Sequence, residues 1–287
     1  YVRRLFAEDY PPARARRDEC ILRAFGLLPP GLRLRPLRER ILNENVAGFY
    51  DERPEVRKLF AVSQSRDLDL LNQFVMAHEL RHAIQDQHYN LRPLFAGRSE
   101  YDDRSLALLS LIEGDAVLVM NNYLLQTMMP EMAELDAGAA ASGARDDPDM
   151  AAALAAAGEA EMAEEEPAPV DGSSLLVGEH LRTAPAVVRE QLVEPYALGQ
   201  RLAMAIHARG GFSELAASFR RPPASMEQVL HPEKYLAGTD TPVELSAPPL
   251  PGATLMVEGR LGELLMRVML EEIMDRSLAA RIAAGWG

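Results

Sequence analysis

Apolar residues recur at helical spacing in two long stretches of the first half of the chain. The first stretch runs from about Asp69 to Gln87 without a glycine or proline, and the second runs from about Arg104 to Met128. An apolar stripe with a period of 3.6 residues is typical of a helix that buries one face. Asp67 or Asp69 can cap the start of the first stretch. The pattern therefore predicts two long helices that pack into the core.

A strand pair is predicted before the first of these helices. Val46 to Tyr50 and Lys58 to Val62 are rich in β-branched and aromatic residues, and the intervening Asp51 to Arg57 contains a proline. Strands so close in sequence are expected to pair as an antiparallel hairpin. Residues 1–45 are expected to form short helices, because proline pairs interrupt them.

The rest of the chain divides by composition into an insertion and a second helical region. Residues 131–172 are rich in Ala and Glu, and we expect them to form either a lid or a surface arm. Helical periodicity returns from about Ala184 to Ala208 and again from about Leu261 to Ala284. The predicted organisation is a core over 1–130, the insertion, and a helical C-terminal subdomain over 173–287.

Composition and charge narrow the class of protein. Of the 287 residues 48% are hydrophobic and only 6% aromatic, which favours a predominantly helical α+β protein with a small sheet. The net charge of −13 argues against nucleic acid as a partner. No run of apolar residues is long enough to predict a transmembrane segment. Cys20 is the only cysteine, which excludes an internal disulfide and a thiolate metal cluster.

The chemistry of the chain is indicated by a short motif in the first long helix. His78 and His82 are four residues apart, so a helix places both imidazoles on one face, within reach of one metal ion. The intervening Glu79 could then reach a water beside that metal. We interpret the motif as two metal ligands and a general base.

A catalytic zinc site usually has three protein ligands, and the sequence offers Glu113 and His88 as candidates for the third. Glu113 lies in the second apolar helix, where an ionisable side chain is costly to bury. The adjacent Gly114 would let the two helices approach closely. His88 would lie about 120° around a continuous helix from the other ligands, and Gln85 favours continuation of the helix. Glu113 is therefore preferred, while a broken helix would favour His88.

Four segments make the chain resemble a zincin metallopeptidase, and more narrowly a gluzincin. They are VAGFYD at Val46 to Asp51, AHELRHAIQDQH at Ala77 to His88, EGDA at Glu113 to Ala116, and PPASMEQVLHPEKY at Pro222 to Tyr235. The same elements occur in a group of bacterial proteins, and the resemblance covers most of the chain outside 131–172. It implies a zincin-like catalytic core over 1–130 that binds Zn²⁺ through His78, His82 and Glu113.

The resemblance also implies a reaction. Hydrolysis of a peptide or protein substrate would use Glu79 as general base and then as proton donor to the leaving amine, and an edge of the hairpin would align the substrate. Such sites often add a Tyr or His that stabilises the oxyanion, and His231 and Tyr235 are the candidates. Val117 departs from the gluzincin pattern, in which an aspartate at this position orients a ligand histidine. Either another residue such as Asp86 supplies that bond, or the third ligand is not Glu113.

Three functions are considered. The first is a zinc-dependent metallopeptidase, and the second is a zinc-binding protein of the same fold without peptidase activity. The third is a helical interaction protein in which the motif is incidental. The lack of cysteine ligands and a chain that starts at Tyr1 rather than at a methionine favour a secreted or cell-envelope bacterial protein.

Overall fold

The computed structural model of the chain describes residues 1–62, 68–95, 101–128, 178–243, 251–255 and 258–286. These residues form a set of helices and one two-stranded antiparallel sheet. The insertion predicted at 131–172 lies outside the described residues, so its role as a lid or an arm stays a prediction.

Three helices precede the sheet, as the proline pattern predicts. Helix α1 spans Val2–Asp9, α2 spans Pro12–Ala24 and α3 spans Leu34–Asn45. Pro12 lies in the first turn of α2, where no intrahelical partner exists for its missing N–H. The proline therefore starts this helix at no cost in hydrogen bonds.

The hairpin directs the outer edge of its first strand towards the long helices. Strand β1 spans Gly48–Asp51 and pairs antiparallel with β2, Lys58–Ala61, so the predicted hairpin is confirmed with bounds shifted by one or two residues. The backbone N–H of Val62 donates to the carbonyl of Ala47 at 2.8 Å. Since hydrogen-bonded pairs alternate in an antiparallel ladder, the N–H of Tyr50 points away from β2.

Helix α4 spans Leu70–Tyr89 without a break. The carboxylate of Asp69 caps it by accepting the backbone N–H of Asn72 at 2.8 Å, one of the two predicted caps. The helix ends at Asn90, whose left-handed conformation (φ 49°) is a common way to terminate a helix. The short α5, Leu91–Leu94, follows.

The two longest helices cross at a pair of glycines. Helix α6 spans Asp103–Met128, the short α7 spans Glu179–Arg182, and α8 spans Ala186–Ser218. A Cβ atom added to Gly114 would lie 2.0 Å from the backbone of Gly199, so neither position has room for a side chain. The predicted role of Gly114 is therefore corrected, because it lets α6 approach α8 rather than α4.

The C-terminal region consists of shorter helices. Helix α8 is kinked at Gly210 and Gly211, close to the predicted end at Ala208. It is followed by α9 (Met226–Leu230), α10 (Pro232–Ala237), α11 (Glu263–Glu271) and α12 (Arg276–Ala283). The single helix expected over Leu261 to Ala284 is wrong, because Asp275 caps a separate helix by accepting the N–H of Leu278 at 2.9 Å.

One hydrophobic core joins the regions before and after the insertion. Leu106 and Leu111 of α6 pack in this core with Leu202 and Ile206 of α8. By length and composition α6 could cross a membrane, but half of its apolar window (50%) is buried inside the protein, as in a core helix. The predominantly helical composition with a small sheet is confirmed. The described residues do not show a zincin-type fold, so the expected zincin core is not confirmed.

Candidate metal centre

Three side chains from two packed helices converge on one point. His78 and His82 project from successive turns of α4, and Glu113 projects from α6. Nε2 of His78 lies 3.0 Å from Nε2 of His82 and 3.2 Å from Oε2 of Glu113. Nε2 of His82 lies 3.3 Å from the same carboxylate oxygen. These three residues, the first cluster, are positioned so that they could hold a metal ion.

The first cluster is largely buried, and its charges are coupled. The side chains of His78, His82 and Glu113 are 10%, 14% and 12% exposed. Burial acts to raise the pKa of Glu113, but the two imidazoles outweigh burial and hold this pKa well below its usual range. Burial acts to lower the pKa of His82, but Glu113 outweighs it and raises this pKa to about 9. The carboxylate therefore stabilises positive charge where the three side chains meet.

Gln85 sets the protonation of one imidazole. Its amide nitrogen donates to the carbonyl of Ile112 at 2.9 Å and to Oδ2 of Asp115 at 2.7 Å, so its amide oxygen faces Nδ1 of His82 at 2.9 Å. Because that oxygen can only accept, Nδ1 of His82 carries a proton, so Nε2 is the nitrogen that would lose its proton and bind when a metal ion replaces that proton. Gln85 thus makes the hydrogen bond to a histidine of the first cluster that the apolar side chain of Val117 cannot make.

Two carboxylates near the first cluster have different roles. Asp115 is completely buried and accepts from Nε and Nη2 of Arg81 at 2.8 and 2.9 Å and from Gln85, so it supports these two side chains. Asp86 accepts the hydroxyl of Tyr50 at 3.1 Å and the N–H of Leu91 at 3.2 Å. Asp86 is therefore not the residue that orients an imidazole of the first cluster, and Gln85 makes that contact instead.

Glu79 contacts the hairpin. Its Oε2 accepts the outward N–H of Tyr50 at 2.9 Å, so the edge of β1 holds the carboxylate in place. Burial raises the pKa of Glu79 above its usual range, although His82 and His78 act to lower it. These mutual effects show that Glu79 and the first cluster share one electrostatic environment.

Tyr196 of α8 also belongs to this site, and the sequence analysis missed it. Its ring stacks on that of His78, with centroids 6.0 Å apart and planes inclined by 20°. The charge of Glu113, together with burial, raises the pKa of Tyr196 well above its usual value. The crossing of α6 and α8 at Gly114 and Gly199 brings it here, since Tyr196 precedes Gly199 by three residues. A lone tyrosine in an apolar helix has no local motif, and only the nearby glycine hints at a close approach.

A cavity of about 180 Å³ opens beside the first cluster. Its lining combines apolar side chains with a few charged ones: Tyr50, Glu52, His82, Leu91, Arg92, Phe95, Leu109, Ile112 and Glu113. A larger cavity of about 410 Å³ near Leu27 and Pro185 includes none of the potential metal ligands. The smaller cavity is therefore the one relevant to chemistry at the first cluster.

The structure does not bring His88 or Tyr235 to the first cluster. His88 is exposed at the end of α4 with its ring against Tyr89, because the helix continues through Gln85. The hydroxyl of Tyr235 donates to the carbonyl of Arg221 at 2.9 Å. Tyr196 takes the place beside the potential ligands that the sequence assigned to Tyr235.

His231 lies in a second cluster with Glu227 and Glu263. Nε2 of His231 is 3.2 and 3.1 Å from Oε1 and Oε2 of Glu263. Burial and the neighbouring Glu227 raise the pKa of Glu263 to about 8. The helix that carries Glu227 is hydrogen-bonded to Asp103, the first residue of α6. Asp103 and Glu113 are ten residues apart on α6, which is about 15 Å along its axis. The second cluster therefore lies at the other end of this part of α6, and His231 is not brought into the first cluster.

Comparisons of the chain with protein-family models, with curated proteins and with solved structures found no match. The likeness to gluzincins therefore remains a prediction from the sequence motifs, and the functional argument depends on the geometry of the site.

Proposed function

We propose that the protein is a zinc-dependent metallopeptidase that hydrolyses peptide bonds at the first cluster. The observation that carries the proposal is the convergence of two imidazole nitrogens and one carboxylate oxygen within 3.3 Å of one another. Two histidines and a glutamate form one of the ligand sets that hold catalytic zinc and keep a further position for the reaction.

The donor atoms suit zinc in chemistry and in spacing. Ligand atoms about 2.0–2.1 Å from zinc in a tetrahedral arrangement lie about 3.3 Å apart, and the separations here are 3.0, 3.2 and 3.3 Å. Gln85 leaves Nε2 of His82 as the ligand atom. When bound, zinc would supply a Lewis acid that polarises the substrate carbonyl and makes water a nucleophile at neutral pH.

Glu79 is assigned the proton transfers. As general base it takes a proton from the attacking water and then passes it to the leaving amine nitrogen. Its pKa, raised by burial, lies closer to neutral pH than that of an exposed glutamate, which favours both accepting and releasing a proton. The bond from Tyr50 fixes one carboxylate oxygen and so orients the other.

Tyr196 is assigned to the oxyanion of the tetrahedral intermediate. The hydroxyl is hydrogen-bonded to Glu113, whose charge raises its pKa and keeps it protonated at physiological pH, so with a substrate present it could turn to donate to the oxyanion instead. A donor aimed at a developing negative charge in a buried site is among the strongest sources of catalysis. This assignment replaces the sequence-based candidates His231 and Tyr235.

The proposed substrate is an extended peptide. Alternate backbone groups of β1 point away from β2, and such an edge can pair with a peptide as an added strand. The adjoining cavity of about 180 Å³ is smaller than the roughly 300–1,000 Å³ that encloses a drug-sized ligand, so it suits a single side chain. Arg92 and Glu52 in its lining would favour a side chain with a polar end.

A zinc-binding protein without turnover is the second candidate. One contact favours this second candidate. The hydrogen bond from the backbone N–H of Tyr50 to Glu79 uses both the carboxylate of the proposed base and a backbone donor that would otherwise pair with a peptide. A substrate must replace or share this bond before reaction. If it cannot, the first cluster binds metal and cleaves nothing.

The test is Glu79→Gln, with metal content measured by plasma mass spectrometry and hydrolysis measured on a broad peptide library. We expect the variant to retain metal and to lose about 10²–10⁴-fold in kcat, because an amide cannot accept the proton. Glu55→Gln, at an exposed position in the hairpin turn, is the matched control and should behave like the wild-type chain. Undiminished metal-dependent hydrolysis in Glu79→Gln would contradict the mechanism, and metal without hydrolysis in the wild type would favour the second candidate.

A further inference from the structure

The second cluster lies where the C-terminal helices close on the start of α6. Glu227 comes from α9, His231 joins α9 to α10, and Glu263 opens α11. One ligand atom from each residue lies within 4.8 Å of the other two. Two pieces of backbone, the turn from Glu227 to His231 and the start of α11, therefore direct a nitrogen and two carboxylates at a common point.

Among the described residues, no N–H group donates to one carboxylate oxygen of Glu227, whose neighbour is the carboxyl group of Glu263. The residue is 7% exposed, its Oε1 pairs with Lys234, and its buried Oε2 has no N–H partner in the part of the chain that the structure describes. Glu263 is 6% exposed and faces the same point. A buried carboxylate oxygen without a partner is costly, and it requires a proton or a cation.

Buried carboxylates crowd this point, and burial raises the pKa of two of them, Asp103 to about 7 and Glu263 to about 8. Four buried carboxylates surround it within this part of the fold: Asp102, Asp103, Glu227 and Glu263. Lys234 is the ammonium in contact with Glu227, and it is shared with Asp240. The nearby Arg267 pairs with Glu190 and Glu194 at 3.7 and 3.1 Å instead. Arg260 acts to lower the pKa of Asp103, so the crowding is strongest between Glu227 and Glu263, where a proton or a metal ion would relieve it.

We infer that Glu227, His231 and Glu263 form a second binding site for a divalent first-row transition metal ion, separate from the first cluster. One imidazole and two carboxylates suit Zn²⁺ or Mn²⁺, whereas a site for Mg²⁺ or Ca²⁺ would be built from oxygen alone. The His231 side chain is 30% exposed, which gives an ion access from solvent.

The ion would join α9, α10 and α11 and thereby hold the C-terminal helices against α6. A metal that binds the folded chain but not the unfolded chain stabilises the fold by mass action. The second site therefore has a structural role, and its existence does not depend on peptidase activity at the first cluster.

The experiment measures Zn²⁺ binding by titration calorimetry, after chelator treatment, on chains purified without an affinity metal. His78→Ala removes the first cluster, Glu263→Gln and Glu227→Gln each remove a ligand of the second, and Glu233→Gln is the matched control. Glu233 pairs with Nδ1 of His231 at 3.8 Å, but its side chain is 74% exposed, so solvent screens this pair and its loss should change Zn²⁺ affinity by less than about twofold. Circular dichroism confirms that each variant is folded, and thermal unfolding with and without Zn²⁺ provides a second readout.

We expect His78→Ala to keep one equivalent of Zn²⁺ and to unfold at a higher temperature when Zn²⁺ is added. The second-site substitutions in that background should abolish both the binding and the shift, while Glu233→Gln retains both. The inference is overturned if His78→Ala binds no Zn²⁺. It is also overturned if adding Glu263→Gln or Glu227→Gln to His78→Ala leaves Zn²⁺ binding unchanged. In either case Glu227 and Glu263 share a proton rather than a metal ion. If the wild-type chain holds metal only at the second site, the inference stands and the proposed peptidase function fails.

Discussion

The first and second clusters contain the same kinds of ligand atom but differ in what surrounds them. In the first cluster two histidines come from consecutive turns of α4, and a glutamine holds one ring in a defined protonation state. In the second cluster the residues come from the ends of short helices, and a lysine pairs with one carboxylate. The first cluster is held by the interior of long helices, and the second by junctions between short ones.

The comparison shows that a set of ligands does not by itself define a catalytic site. Beside the first cluster lie a glutamate bonded to a strand edge, a partly buried tyrosine and a cavity. Among the described residues, the second cluster is accompanied instead by buried carboxylates and an ion pair. Under the proposed function these would supply a proton acceptor, an oxyanion donor and space for a substrate, which is why chemistry is proposed at the first cluster and structural binding at the second.

The largest effect that separates the two regions is expected from two tyrosines, Tyr196 beside the first cluster and Tyr235 on α10. Tyr196→Phe should reduce kcat by about 10²–10³-fold with metal content unchanged, because it removes a donor to the oxyanion. Tyr235→Phe, on α10, loses its bonds to the carbonyl of Arg221 and to Ser218, so turnover should stay within about twofold while stability falls by about 1 kcal/mol. Steady-state kinetics on a cleaved peptide measure both, and the reverse ranking would restore the sequence-based candidate.

A smaller effect concerns the support of the ligands. Gln85→Ala removes the bond to Nδ1 of His82, and metal affinity at the first cluster should fall by about 10–100-fold. Gln87→Ala, at an exposed position of the same helix, is the matched control. Competition with a chromophoric chelator measures the affinity. Equal affinities in the two variants would show that the glutamine does not tune the ligand.

The smallest effect concerns the hairpin, which supports only the first cluster. Asp51 is 1% exposed and accepts from Arg53 and Tyr1, and these bonds lower its pKa from 3.8 to about 2. A pKa lower in the folded than in the unfolded state adds stability that is complete above about pH 4 and is lost as the pH falls towards 2. Asp51→Asn should therefore cost about 1–2 kcal/mol at pH 6 and less at pH 3.

Urea unfolding of Asp51→Asn and of the wild-type chain at pH 6, 4 and 3 checks this expectation. The difference in unfolding free energy between the two chains should shrink with falling pH. Glu55→Gln, in the exposed turn of the same hairpin, should show no such trend. A difference that stays constant with pH would mean that the stability of the hairpin does not depend on the charge of Asp51.

The features predicted correctly from sequence are those that local rules govern. The spacing of His78 and His82 places both rings on one face of any helix, and Asp69 caps a helix that nothing interrupts. Glu113 stood out because an ionisable residue in an apolar helix needs a partner. Each of these inferences requires knowledge of only one helix and its period.

The features that were missed depend on how distant helices cross. Tyr196 reaches the site because Gly114 and Gly199 let α6 and α8 approach closely. The sequence does not indicate which two glycines pack against each other. Gln85 was considered only as a residue that continues a helix, since its amide acquires a role from Asp115 on α6. His231 was recognised as chemically active, but its location beside the second cluster depends on where α11 packs.

The most direct test of the account is zinc content by plasma mass spectrometry on four chains purified without an affinity metal. These are the wild-type chain, His78→Ala, Glu113→Ala and His88→Ala. We predict that His78→Ala and Glu113→Ala each hold one equivalent of zinc less than the wild type, and that His88→Ala matches it. Loss of zinc in His88→Ala but not in Glu113→Ala, or equal zinc in all four chains, would contradict a metal centre built from His78, His82 and Glu113.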